Sequence, residues 1–334
     1  MFTNVHMIGV GSYHPKKVVE NEHFIEHFKE FNLHHKAETL MNKLGRKKLT
    51  LAKHNENGIT MSVSAAKDAL KKANLSVEDI DMIISASDTP EYLTPCCALI
   101  IRNKLGAKNV KTVFDVNCDC IGMLHAIDIA SKFLKTDKNY KRVLVVGSLL
   151  ISPFAREDDI IVYSTIGDGS AAMILEAREE QEERGFLGSR AFTDDSYNET
   201  IRFPACGLSN IPNENINGYE RKMSWKPFSV DFLSKNWTKL ITNLLKEHDL
   251  KPENIEHYFM SQFSKEEVIT TMNNLNVKQD RAIFIGDKYG YTGPTSPVMA
   301  LDDKLKESSF KKGDLCVFCS VAGGYSMSAL LYRW

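Results

Sequence analysis

The chain repeats itself, and the repeat restricts its fold more than any other feature. Leu75-Ser-Val-Glu-Asp-Ile80 and the apolar run Met82–Ala86 have a counterpart in Leu250-Lys-Pro-Glu-Asn-Ile255 and the shorter apolar run Tyr258–Met260. Each copy follows a segment of helical periodicity, Ala65–Ala73 in the first half and Leu240–Glu247 in the second. At nearly the same offset, Arg142-Val-Leu-Val-Val-Gly-Ser148 is answered by Asp314-Leu-Cys-Val-Phe-Cys-Ser320, each after a lysine-rich polar stretch. Short apolar runs bounded in this way read as buried strands. Between these markers each half carries a further predicted strand, Val113–Val116 and Ala282–Ile285, leading into a helix over Cys120–Leu134 or Ser296–Lys306. The same order of helix, strand, strand, helix and strand, found twice, predicts a duplicated α/β architecture with covered sheets.

The division that follows places a first half at 1–175 and a second half at 227–334. The join falls at the charge run Glu176–Arg184, which reads as a solvated loop or helix face. Residues 186–226, rich in Gly, Asn, Ser and Pro, read as an irregular insertion or lid. Together with residues 86–100 they are expected to shape any pocket.

Charge excludes one class of partner. With 42 Lys+Arg against 43 Asp+Glu, the chain lacks the basic excess of a nucleic-acid binder. No apolar run approaches the roughly 20 residues of a membrane helix. The start, Met1 to Pro15, has neither a basic nor an apolar segment of secretory type, so a cytoplasmic protein with reduced thiols is expected. Lys43, Arg46, Lys47 and Lys48 read as a solvated face, with an acidic carrier protein or a nucleotide phosphate as the functional alternative.

The chain has 7 cysteines, an odd number that argues against a disulfide framework. Cys118-Asp-Cys120 and Cys316-Val-Phe-Cys319 resemble halves of a zinc site. However, residues three apart in a strand face opposite sides of the sheet, so no metal is expected. Cys120 is different. It follows a strand and opens a helix that is apolar nearly all round, where free backbone N–H groups favour a thiolate. Gly122 is expected to allow close backbone approach. On residues alone, Cys120 reads either as a small buried hydrophobe or as a thioester-forming nucleophile.

Phe114-Asp-Val-x-x-x-Cys120-x-Gly122 resembles the nucleophile motif of the β-ketoacyl-acyl-carrier-protein synthase III family of the thiolase superfamily. Ile8-Gly-Val-Gly-Ser-Tyr-His-Pro15, Val145-Val-Gly-Ser148, Ile166-Gly-Asp-Gly-Ser-Ala-Ala-Met-Ile-Leu175 and the ending Ala322-Gly-Gly-Tyr-Ser-Met-Ser-Ala-Leu-Leu-Tyr-Arg-Trp334 resemble its other segments, in order and across nearly the whole chain. The resemblance implies a duplicated five-layer αβαβα sandwich and a dimer, either of two copies or with a related synthase. It also implies an acyl-thioester on Cys120, drawn from acyl-CoA or an acyl carrier protein as substrate, with no permanently bound cofactor.

The same resemblance exposes departures. The family's catalytic Cys-His-Asn set aligns here with Cys120, Ser261 (in Ser261-Gln-Phe-Ser264) and Tyr291 (in Gly290-Tyr-Thr-Gly-Pro-Thr-Ser296). The early tryptophan that stacks on coenzyme A is missing; the first here is Trp225. Backbone N–H groups of Cys120 and Gly324 are the implied oxyanion donors. Without the His and Asn donors, decarboxylative condensation is not expected, since each such donor typically contributes about 10²–10³ in rate. Acyl loading requires less. His125 and His257, the histidines nearest in sequence, are expected to be structural. The resulting expectation is an acyltransferase of fatty-acid-derived or specialised metabolism, with a catalytically silent subunit of a hetero-oligomeric synthase as the alternative.

Overall fold

The computed structural model describes residues 1–334. Nine strands form the main sheet: β1 (Phe2–Tyr13), β2 (Met82–Ala86), β3 (Thr112–Val116), β4 (Arg142–Leu149), β5 (Gly169–Glu180), β6 (Gly185–Thr193), β7 (His257–Met260), β8 (Leu315–Ala322) and β9 (Ser326–Arg333). Six helices pack on it: α1 (Gly58–Ala73), α2 (Cys97–Leu105), α3 (Gly122–Thr136), α4 (Phe232–Lys246), α5 (Lys265–Asn274) and α6 (Ser296–Glu307). The spatial order is β7-β8-β9-β6-β1-β5-β4-β2-β3. No helix is long and apolar enough to cross a membrane.

The duplication is visible in the pairing. In the first half β2 runs parallel to both β3 and β4, then β4, β5 and β1 alternate antiparallel. In the second, β7 runs parallel to β8, and β8, β9 and β6 alternate antiparallel. The halves meet at one parallel pairing, Val5 with Gly185. Gly185 has φ +76°, and a Cβ there would lie 2.2 Å from the Val5 carbonyl oxygen, so the junction admits only glycine.

Alternation along the strands builds five layers. Met82, Ile84, Val143 and Val145 face a middle core that also holds Met123 and Ile127 of α3, Val298 and Leu301 of α6, and Phe318 and Tyr332 from the second half. Ile83, Leu144, Val146 and Ile174 face the other way, toward Ala65, Ala66 and Ala69 of α1. On the far side Val317, Cys319 and Leu331 pack under Trp237, Ile241 and Leu244 of α4. The result is the αβαβα sandwich. The opening Ile8-Gly-Val-Gly-Ser12 has a packing role: a Cβ on Gly11 would lie 2.4 Å from the Ala69 nitrogen and 2.5 Å from the Ala65 oxygen of α1.

Several expectations require correction. Gly185–Thr193, all but its first residue inside the insertion expected at 186–226, is the first strand of the second half, paired along its length with β9. Its Gly188-Ser189-Arg190 centre and exposed far end, which break any apolar alternation, obscured it. The charge run Glu176–Arg184 is mostly the end of β5, with Glu176 bound by Arg142 and Arg178 and Glu180 by His6 and Arg184. The strand expected at Ala282–Ile285 is reduced to one bridge, Ala282 to Tyr258. There the Gln262 side chain substitutes for a ladder. Its Nε2 donates to the Ile283 carbonyl at 3.0 Å and its Oε1 accepts from the Ile285 N–H at 2.6 Å.

Arg46 is not on a solvated face. It is 2 % exposed, and its guanidinium donates to the carbonyls of Leu44, Thr165, Gln262 and Phe263. A sequence reads as basic wherever an arginine stands; only packing shows whether that charge meets water or carbonyls.

Candidate active site

The carboxyl ends of the parallel strands converge where ligands are expected in open α/β sheets. Past β3, the chain makes a single 3₁₀ turn, Asp119–Ile121, before entering α3. Asp119 holds φ +50°, a left-handed conformation that aspartate tolerates better than most residues. Cys120 lies in this turn, 9 % exposed, and its carbonyl accepts from the Ser320 hydroxyl at 3.1 Å. Gly122 is less critical than the sequence implied: a Cβ there would meet Ala86 at 3.6 Å and Val116 at 3.7 Å, ordinary contacts.

Ser261 follows β7 and Tyr291 is pinned beside Ile166, its N–H donating to the Thr165 carbonyl at 3.1 Å. The fold brings both to Cys120. The Ser261 hydroxyl donates to the Tyr291 hydroxyl at 3.5 Å, and the Tyr291 hydroxyl is in hydrogen-bonding contact with the Cys120 sulfur. Burial, then the neighbouring thiol, holds the Tyr291 phenol well above its ordinary pKa, so it stays a proton donor.

Two carboxyl groups complete the surroundings, and the sequence reading named neither. Asp119 Oδ1 lies 3.4 Å and Asp88 Oδ2 3.7 Å from the Cys120 sulfur. The Gly323 N–H donates to the other oxygen of Asp119. Burial, then the neighbouring Asp119, raises the Asp88 pKa well above the carboxylate range. Asp88 Oδ1 has no hydrogen-bond partner. A clue was available: a carboxylate stands immediately before Cys120 in Asn117-Cys-Asp-Cys120, and Asp88 follows closely on an apolar strand.

These carboxyls overturn one expectation. The Cys120 thiol is not made acidic by the helix end. Burial first, then the neighbouring Asp119 and Asp88 carboxyl groups, push its pKa well above that of a free thiol, against the opposing hydrogen bond from Tyr291. Gly323, not Gly324, lines the cavity beside Cys120. The glycine of the pair nearest the cavity is therefore one residue earlier than expected, and its N–H is held by Asp119.

The cavity encloses about 610 Å³ of non-atom space including its open mouth, and 16 of its 20 lining residues are hydrophobic. Its walls include Ile201, Met223 and Trp225 from the irregular segment and Phe228, Phe232 and Phe263 beyond it. Trp225 stacks on Phe263 with ring centres 5.2 Å apart. Neither His125 nor His257 lines it. Cys118 is exposed, Cys316 packs in the middle core and Cys319 in the outer one, so the apparent zinc halves never meet. Ligand atoms of Asp88, Asp119 and Cys120 lie within 4.8 Å of one another, close enough to share one cation. Such a cation would occupy the sulfur lone pair that a nucleophile needs.

Comparison with known proteins follows the same lines. The 3-oxoacyl-(acyl-carrier-protein) synthase III profile matches residues 114–195, and the C-terminal profile of the same enzymes matches residues 245–334. The chain is 30% identical over 333 residues to the β-ketoacyl-(acyl-carrier-protein) synthase III of Aquifex aeolicus (strain VF5), covering 98% of this chain and 99% of the relative. It is 28% identical to the protein of the same name from Clostridioides difficile (strain 630), over 100% of this chain and 99% of the relative. The crystal structure of the Aquifex aeolicus VF5 3-oxoacyl-(acyl-carrier-protein) synthase III superposes with a TM-score of 0.85 at 27% identity, covering 99% of this chain and 100% of the other.

Proposed function

The chain belongs to the 3-oxoacyl-(acyl-carrier-protein) synthase III family, and from that membership we propose that Cys120 takes an acyl group from a thioester donor and passes it to an acceptor. One observation carries the reading: a lone thiol ends an apolar cavity, with a phenolic donor at its sulfur and a serine hydroxyl behind that donor. The apolar walls suit an acyl chain, and a thioester carbonyl seated at the sulfur is in position for attack.

The steps use this chain's own groups. Cys120 sulfur adds to the donor carbonyl, the donor thiol departs, and the acyl group is held as a thioester on Cys120. Tyr291, kept protonated, supplies a hydrogen bond where negative charge gathers on sulfur. An acceptor then attacks the acyl carbonyl and returns the thiol. Ser261 and Tyr291 replace the imidazole and amide expected from the family resemblance, so the acceptor need not be a malonyl unit undergoing decarboxylation. The donor is an acyl-CoA or an acyl carrier protein, and no permanently bound cofactor takes part. Fatty-acid-derived or specialised metabolism suits such a step.

The test is intact-mass measurement after incubation with a panel of acyl-CoA and acyl-carrier-protein donors, with Cys120→Ala as control. A single acyl adduct lost in the control is the expected result. No adduct from any donor sinks the reading. The absence of an imidazole among the cavity residues favours a second reading, a silent subunit paired with a related synthase. Obligate co-purification with such a partner, and no adduct on this chain alone, is its expected outcome.

A further inference from the structure

We propose that Asp119 is the general base for Cys120 and, in the same movement of a proton, releases the Gly323 N–H as the oxyanion donor. The inference rests on the acyl-transfer reading of Cys120 and assigns the proton route that reading requires. An unionised thiol cannot attack a thioester without losing its proton during attack, and no histidine lines the cavity to accept it. The two nearest acceptors are carboxyl oxygens, and of these Asp119 Oδ1 is the closer at 3.4 Å. The Cys120 thiol already donates to Asp119 Oδ1 at 3.4 Å, whereas burial and then the neighbouring Asp119 raise the Asp88 pKa well above the carboxylate range, which makes Asp119 the available acceptor.

The second half of the proposal comes from the other oxygen. Before reaction, Asp119 accepts the Gly323 N–H, so the backbone donor of this cavity-lining glycine is already engaged by a carboxyl oxygen. A hydrogen bond to an ionised acceptor is roughly twice as strong as a neutral one. When the sulfur adds to the donor carbonyl, the S–H bond breaks, the S–C bond forms, and the carbonyl π pair moves onto oxygen. The proton goes to Asp119 Oδ1. Neutral Asp119 then holds Gly323 less strongly just as a new oxyanion needs the N–H. Collapse of the intermediate breaks the bond to the donor sulfur, which takes the proton from Asp119 and leaves as a thiol. Asp119 is ionised again, and atoms and charge balance.

Asp119→Asn separates this role from simple electrostatics, because the amide still accepts the Gly323 N–H while losing charge and basicity. Alkylation by iodoacetamide should then occur at lower pH than in the wild type, since a negative charge beside the sulfur is gone. Acyl loading, followed by intact mass in a single turnover, should slow by about 10²–10⁴ and lose the lower limb of its pH profile. Loading at the wild-type rate or faster overturns the proposal and makes Asp119 only a brake on thiol ionisation. An alkylation midpoint that does not fall also overturns it. Should Asp119→Asn not fold, Asp119→Glu carries the test: it keeps the acid and should keep the lower limb, and a profile without that limb overturns the proposal. A wild type that never loads refutes acyl transfer itself and the proton route with it, whereas a wild type that loads beside an equally fast Asp119→Asn refutes the proton route alone.

Discussion

The Ser261 hydroxyl donates to the Tyr291 hydroxyl at 3.5 Å, so two residues far apart along the chain form one chain of donors ending at the Cys120 sulfur. Both are fully or almost fully buried, and each gives the other a polar partner in an otherwise apolar cavity.

Tyr291→Phe is expected to raise the Cys120 pKa further, because the hydroxyl is the group that opposes burial there. Alkylation by iodoacetamide near neutral pH should slow by about tenfold, matching a hydrogen bond of roughly 1.4 kcal/mol to sulfur. Ser261→Ala should act in the same direction and less, since it reaches sulfur only through Tyr291. Rates measured across pH 7–10 distinguish the two.

Arg46→Met is expected to destabilise the chain by about 3–5 kcal/mol, because buried carbonyl acceptors left without a donor cost about 1–3 kcal/mol each. The guanidinium now serves the carbonyls of Leu44, Thr165, Gln262 and Phe263. Arg46→Lys should recover only part of the loss, since an ammonium lacks the planar fork. Urea denaturation midpoints measure both.

Two glycines should separate cleanly. Gly11→Ala drives a Cβ to within 2.4–2.5 Å of α1 backbone atoms and should cost about 1–3 kcal/mol or more. Gly122→Ala meets only ordinary contacts and should be neutral or stabilising by up to about 1 kcal/mol from helix propensity. Thermal melting of the two variants tests the contrast.

His14 makes stability depend on pH. Its ring stacks on Tyr289 at 3.5 Å with neither nitrogen hydrogen-bonded; burial, then Lys306, lowers its pKa to about 4 against the pull of Asp303 and Asp302. The folded chain therefore binds this proton less readily than the unfolded chain. Stability is full above the unfolded pKa near 6.5 and falls as pH drops toward 4, by about 2 kcal/mol at pH 5 and about 3 kcal/mol at pH 4. His14→Phe keeps the stack and should remove that part of the decline. Urea midpoints at pH 7.5 and pH 5 for both proteins decide it.

Much of this was legible before any coordinates. The repeat, the buried runs at Met82–Ala86 and Arg142–Leu149, and the approach of a strand to Cys120 are local patterns in which side-chain period reports the environment. The misreadings share a cause. Gly185–Thr193 lies half exposed and reads as loop, and Gln262 replaces a ladder that the residues 282–285 were expected to make for themselves. In each case a partner far along the chain supplies what local sequence seemed to lack.

Residue order alone carries the duplicated α/β plan and the place of Cys120 after a strand and before a buried helix. What surrounds the sulfur depends on how the chain closes. Asp88 arrives from the end of β2, Tyr291 and Gly323 from the second half, and Asp119 turns back on its own neighbour. Proton affinity depends on burial and on through-space distances between charges, and neither is a property of order along the chain. The same cysteine that reads as an acidic thiol at a helix end is, once the chain closes around it, a thiol held in its protonated form between two carboxyl groups.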